Sequence, residues 1–203
     1  STDETRDIVR ALCGEFPNLQ LIDNPDRLQA AAVNRVARDC AGDDTLYLVR
    51  CDAHSIYPPG YVMQVADALL RTGAHSVVTP MDAVGSNCFQ KANAWVVDTP
   101  LGSGGSAHRG GRKSGVVEHG HHAGFELETF LTLDGYDETF SHNEDAEYDR
   151  RVTLAGGQIF LDATIRIAYA PRATVPALAR QYFNYGKGRA RNMLKHSTWP
   201  RLR

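Results

Sequence analysis

The stretch TLYLVRCDAHSIYPPGY, residues 45–61, decides the fold. Its first five residues are almost wholly apolar, as in a strand covered on both faces. The run breaks at Asp52, Ala53 and His54, and a Pro-Pro-Gly turn follows. From Pro59 the period changes: Val62, Val65, Ala66 and Leu69 share a helical face that Gly73 ends. SVVTP (76–80) then reads as another strand. Strand, helix and strand in succession predict a βαβ unit and an α/β fold with a mainly parallel sheet flanked by helices. Ligands of such sheets bind beyond the carboxyl ends of the strands, where Asp52 and His54 fall.

Upstream, Ser1 stands three residues before Glu4, the capping-box spacing, with Ile8, Val9 and Leu12 on the helical face that follows. LQLI (19–22) reads as a short strand and 27–40 as a helix. Downstream, the glycine- and serine-rich residues 101–115 lack apolar periodicity and are expected to form a long flexible loop. Residues 116–140 predict a strand and a short helix, and 143–157 a helix stopped by Gly156-Gly157. QIFLD (158–162) and IRIAYAP (165–171) predict two strands, before a basic C-terminal segment, 172–203, with helical character.

A chain of 203 residues suffices for one α/β domain, and 42% hydrophobic with 23% charged residues is ordinary for a soluble protein. No apolar run is long enough to span a bilayer, and no signal peptide is visible. Cys13, Cys40, Cys51 and Cys88 are widely spaced, which argues against a zinc ribbon or disulfide framework and suits a reducing compartment. The start at Ser1 and the end in STWPRLR lead us to expect a fragment of a longer protein. The net charge of −2 hides an asymmetry: from Arg166 onward nine Lys or Arg meet no Asp or Glu. Such a tail suits phosphates, nucleic acid or an anionic membrane face, or is simply a solvated surface.

Four groups of residues can carry chemistry. Asp52 and His54, at i and i+2 past a strand, suit Mg²⁺ or Mn²⁺ better than structural zinc, although a capping Asp and a surface His would look the same. Glu144 and Asp145 open a helix, where carboxylates are stabilised by free N–H groups, and either can act as a general base. His119, His121 and His122 invite a zinc hydrolase, but the spacing is not H-E-x-x-H, and lining a polar pocket is the competing reading. RQYFNYGKGRAR (180–191) interleaves aromatics with cations, able to hold phosphates and stack on a base or sugar. Nucleic acid is the rival ligand, without a recognisable nucleic-acid fold around the segment.

Taken in order, STDET, NP…Q.AAVN, RCDAHSIYPPGYV, GYDETFSHNEDAEYDRRV and QYFNYGKGRAR resemble the family 2 glycosyltransferases of GT-A fold. With GSGGSAHRGGRKSG and HGHHAGF the chain is most similar to the succinoglycan-biosynthesis type of glucosyltransferase. The resemblance implies a Rossmann-like GT-A sheet over 1–203. It implies an inverting transfer of a hexose, glucose from UDP-glucose, to a lipid-linked or polysaccharide acceptor in exopolysaccharide synthesis. It makes Asp145 the catalytic base with Glu144 its neighbour, and Asp52 and His54 the metal motif for Mn²⁺ or Mg²⁺. Asp3 falls in a nucleotide-binding loop, Gln181, Tyr185, Arg189 and Arg191 in the segment closing over the diphosphate, and His121 and His122 on the acceptor side. It also implies a membrane surface as partner, on the cytoplasmic face of the bacterial inner membrane, for a full-length protein of which this soluble fragment is part.

The family places a strand and an Asp-Gly-Gly or Asp-Gly-Ser turn before STD, and apolar segments after the basic tail. Neither is present here. The fold is therefore expected to lack its first strand, and the 203-residue chain to be less stable and less active than the full protein. A non-catalytic sugar-nucleotide or polyanion-binding module is the alternative.

Overall fold

The computed structural model describes residues 3–103 and 113–199. Helices α1 (Thr5–Glu15) and α2 (Gln29–Asp39) precede β1 (Tyr47–Val49), the short β2 (Ser55–Ile56), α3 (Tyr61–Thr72), β3 (Ser76–Thr79) and β4 (Met81–Ala83). Next come α4 (Cys88–Val97), α5 (Pro100–Ser103), β5 (Gly115–Val117), β6 (His121–Glu126) and α6 (Leu127–Thr132). The order ends with α7 (Glu144–Leu154), β7 (Ile159–Leu161), β8 (Ile167–Tyr169) and α8 (Val175–Lys195).

Five strands form a sheet in the order β1-β6-β3-β7-β5, and β2-β8-β4 form a smaller one. The expected α/β layering is present, but the larger sheet is mixed rather than mainly parallel. β1 and β3, joined through α3, do run the same way. However, β6 lies between them, antiparallel to both, and the parallel pair in this sheet is β3 with β7. LQLI is not a strand: residues 19–22 find no ladder partner among the described residues, and Leu21 and Ile22 are exposed. The helix expected from Pro59 begins at Tyr61, because Gly60 takes a left-handed conformation at its N-cap. Of the expected 101–115 loop, 104–112 lie outside the described residues, while α5 and β5 occupy its ends. Ser1 also lies outside them, and α1 starts after Glu4 with no side-chain cap. Asn87 and Gln90, unremarked in the sequence, do form a capping box at α4.

Two apolar layers enclose β3, whose four residues are all buried. Against α3, Val65, Ala68 and Leu69 pack on Val77 and Ala123. On the other face Phe125, Phe130, Tyr136 and Tyr148 form an aromatic cluster with ring centroids 4.9–5.9 Å apart. A register shift between Val77 and Val78 adds one residue to β6. It places Ala123 and Gly124 on the α3 face and His122 on the same face as Phe125, whose ring it meets at 4.9 Å.

Asn34 of α2 ties this cluster to the loop before α7. Its Nδ2 donates to the Tyr136 carbonyl (2.8 Å) and its Oδ1 accepts from the Tyr136 amide (2.8 Å). Gly135 precedes that residue at φ +60°, and a Cβ there would lie 2.3 Å from Asn34 Oδ1. Asn34→Ala would leave both Tyr136 backbone groups buried without their partner. We expect a loss of about 2–3 kcal/mol, read as a lower urea midpoint at unchanged slope.

Candidate active site

The end of β1, the start of α7 and one face of α8 border a cavity of about 1040 Å³. It contains Asp52, His54, His121, Glu144, Asp145, Gln181, Tyr185 and Arg189 of the residues singled out in the sequence. Arg50 and His119 line it as well.

Asp52, nearly buried, is gripped from its own strand end. Arg50 Nε lies 2.9 Å from Oδ1 and Nη2 3.1 Å from Oδ2, and Gln29 Nε2 donates to Oδ1 at 2.9 Å. Burial works against its charge, but Arg50 holds its carboxyl below the usual carboxylate range. His121 Nε2 stands 3.8 Å from Oδ2. Burial and the Arg50 cation push that imidazole down to about 4, so it carries no charge near neutrality.

At the start of α7, Asn143 sits in the left-handed region at φ 68°, a conformation asparagine tolerates, and turns the chain so that Glu144 and Asp145 open the helix. Their environments push the two carboxyls apart. Burial, then the neighbouring Asp145, raises Glu144. For Asp145 burial is outweighed by the histidines, His119 foremost, and the carboxyl falls below its ordinary value. Of the pair, Asp145 is therefore the one held toward its ionised form, and it is the more exposed of the two.

α8 closes the opposite wall. Thr174 caps it, and Gln181, Tyr185 and Arg189 recur every four residues on one stripe, with Gln181 Nε2 donating to Tyr185 Oη at 3.0 Å. Gly188 on this stripe lets the helix approach closely: a Cβ there would lie 2.5 Å from the His142 carbonyl and 2.7 Å from Asn143 Cβ. Arg172 and Arg180 add positive charge to the same wall.

Three of the expected residues are not part of this cavity. Asp3 is exposed and accepts a hydrogen bond from the Thr5 amide at 3.2 Å, an opening turn for α1. Arg191 points to the loop before α7, donating to the Thr139 carbonyl (2.6 Å) with its guanidinium 4.8 Å above the Phe140 ring. His122 is 1% exposed in the aromatic core, carried there by the extra residue in β6, and does not line the cavity. Both its nitrogens are committed, Nδ1 to Tyr136 Oη (2.6 Å) and Nε2 to Asp149 (2.7 Å), which also removes it as a zinc ligand. Among the described residues no group of three His, Cys, Asp or Glu can hold a metal. Arg50 belongs to no group singled out in the sequence, whereas Asp149 is part of the acidic run of Asn143, Glu144, Asp145, Glu147 and Asp149, denser than helix capping requires. Arg50 stands two residues before Asp52, and Asp149 stands one helical turn after Asp145, a spacing that puts both on one face.

This fold is that of the GT-A glycosyltransferases. It superposes on GalNAc-T7, solved with UDP, GalNAc and Mn²⁺, with a TM-score of 0.62 at 14% identity, covering 85% of this chain and 36% of that one. The mannosyltransferase PcManGT from Pyrobaculum calidifontis, solved with GDP-Man and Mn²⁺, gives 0.63 at 17% identity, covering 99% and 53%. At these identities the likeness is one of fold. In sequence, residues 1–131 match the glycosyl transferase family 2 model, and the chain belongs to that family. It is 50% identical over its whole length to the succinoglycan biosynthesis protein ExoA of Rhizobium meliloti (strain 1021) and spans 61% of the length of that relative.

Proposed function

We propose that residues 1–203 form the catalytic domain of an inverting, divalent-metal-dependent glycosyltransferase. It moves glucose from UDP-glucose to a hydroxyl of a lipid-linked or polysaccharide acceptor in exopolysaccharide synthesis. The observation that carries this reading is the convergence of Asp52 and Asp145 on one cavity with a basic α8 wall. The ExoA relative supports the pathway, and the two solved enzymes support a sugar nucleotide with a metal.

The residues fit Mn²⁺ or Mg²⁺ as a partial ligand set. Asp52 Oδ1 already accepts two hydrogen bonds, but Oδ2 accepts one and keeps a lone pair, with His54 on the same cavity wall. Such cations are commonly held by one or two protein groups, completed by substrate phosphates and water. When bound, the ion would neutralise the diphosphate charge and make it a competent leaving group. Arg189, with Gln181 and Tyr185, meets the same diphosphate from α8. Asp145 takes the proton of the acceptor hydroxyl as its oxygen attacks the anomeric carbon opposite the departing diphosphate, so an α-linked donor gives a β-linked product. His121, uncharged, is placed to accept or donate a hydrogen bond to the acceptor.

Among the described residues no helix is long and apolar enough to cross a membrane. The exposed Phe183 and Leu194 on the basic α8 support contact with an anionic membrane surface, at the cytoplasmic face of the bacterial inner membrane. Calorimetric titration of the full-length protein with UDP tests the donor site. Chelating divalent ions should weaken binding by at least about tenfold, or about 1.4 kcal/mol, and Asp52→Ala should do the same in the presence of Mn²⁺. Metal-dependent binding without turnover in a screen of sugar nucleotides would favour a non-catalytic module.

A further inference from the structure

Beneath the cavity lies a second carboxylate for which the transfer reaction, as described, has no use. Asp149 is fully buried in the middle of α7. A carboxylate there is costly unless it is paired and hydrogen-bonded. It accepts from His119 Nδ1 at 2.6 Å, His122 Nε2 at 2.7 Å and the Gly120 amide at 3.3 Å. Gly120 is needed for this approach, since a Cβ there would lie 2.5 Å from Val78 Cγ2.

The hydrogen bonds continue behind Asp149. Arg50 Nη1 donates to Tyr136 Oη at 3.2 Å, and the Tyr136 hydroxyl meets His122 Nδ1 at 2.6 Å. His122 Nε2 donates to the ionised Asp149 at 2.7 Å, so His122 completes the shell from the buried side.

His119 differs from His122 in what else it meets. It is partly exposed and lines the cavity with Asp145. Burial opposes its charge, but the Asp149 hydrogen bond, then the charge of Asp145, pushes it up to about 9. Around this pair stand Glu144 on α7, His121 and His122 on β6, Tyr136 before α7, Arg50 after β1 and Arg189 on α8. Of the two histidines that hold Asp149, His119 is the one that lines the cavity with Asp145.

We propose that His119, anchored by the buried carboxylate of Asp149, is a positioning residue for Asp145, a fixed cation that keeps this carboxylate ionised and ready to accept the acceptor's proton. Tyr136 and His122 hold Asp149 in place from behind. The inference rests on the reading of Asp145 as the base, and it adds a residue that acts through Asp145 without touching the reacting atoms.

The test uses the full-length protein. In His119→Gln the amide keeps a donor for Asp149 but loses the charge, so the carboxyl of Asp145 rises. The acid limb of the kcat–pH profile should move up by about one unit, giving roughly tenfold slower transfer below the ordinary carboxylate range that recovers by neutral pH. A loss of packing would instead lower kcat evenly across the range. The coupling is reciprocal, so histidine NMR gives a readout that needs no turnover. Asp145→Asn should lower the titration of the His119 ring below its wild-type midpoint near 9. If Asp145→Asn abolishes transfer but neither the pH profile nor the His119 titration moves, the inference is overturned and the base assignment stands. If Asp145→Asn retains transfer, both fall. Should His119→Gln fail to fold, the titration decides.

Discussion

Asp145→Asn is expected to slow sugar transfer by about 10²–10⁴-fold while UDP affinity changes by less than about threefold. Asparagine keeps the size of the side chain and an oxygen for the Ala146 amide, which now donates to Asp145 Oδ1 at 2.7 Å. The substitution therefore removes proton-accepting capacity with little change of shape. The donor contacts proposed for Asp52, Gln181, Tyr185 and Arg189 do not run through this oxygen, so binding should persist. Measuring kcat, KM and UDP affinity on the same preparation separates the roles. A variant that binds UDP poorly but still transfers sugar would sink the assignment. The neighbouring Glu144→Gln should be milder, because burial and the adjacent Asp145 already hold Glu144 toward its protonated form.

Why Asp145 and Asp52 were legible in the sequence, while other parts of the site were not, has a physical basis. TLYLV is an apolar run, so the polar residues that end it lie beyond a strand end whatever the strand order, although β1 is a part-buried outer strand with Leu46 exposed rather than one covered on both faces. The acidic first turn of NEDAEYD likewise marks a helix start by local electrostatics. The other placements depend on long-range pairing. That β6 lies between β1 and β3 is written in no local period, because direction and adjacency are separate properties of strands. The fate of His122 turned on one extra residue in β6, which exchanges the faces of neighbouring side chains. LQLI has strand composition, but a strand exists only with a ladder partner, and residues 19–22 have none among the described residues. Arg191 sits two residues after Arg189, so on a helix it points to a different face and finds Phe140 instead of the cavity. Motif membership had joined residues that helical geometry separates.

Glu147→Ala is expected to cost about 3–5 kcal/mol of stability, and through stability to weaken donor binding, although Glu147 does not border the cavity. Its carboxylate is fully buried between α7 and the end of α8. Arg151 grips it with Nε at 3.0 Å from both oxygens and Nη2 at 2.8 Å, while Lys195 Nζ lies 2.6 Å and His196 Nε2 3.1 Å from Oε1. Arg151 also donates to the Leu133 and Gly135 carbonyls, so the same ion pair fixes the loop that carries Tyr136. Removing the carboxylate strands the Arg151 cation and unfastens the C-terminal end of α8, the helix that presents Gln181, Tyr185 and Arg189. Lys195→Ala, at the more exposed end of the cluster, should cost less than about 1 kcal/mol. The pH dependence carries a sign. Burial would raise the carboxyl of Glu147, but Arg151 and Lys195 hold it below its ordinary value of 4.5. Its stabilisation is therefore complete above about pH 4.5 and disappears as pH falls through the lower, folded-state value. Urea midpoints of wild type and Glu147→Ala should differ most at neutral pH and converge in acid. A constant difference down to pH 3 would mean that Glu147 acts by packing rather than by charge.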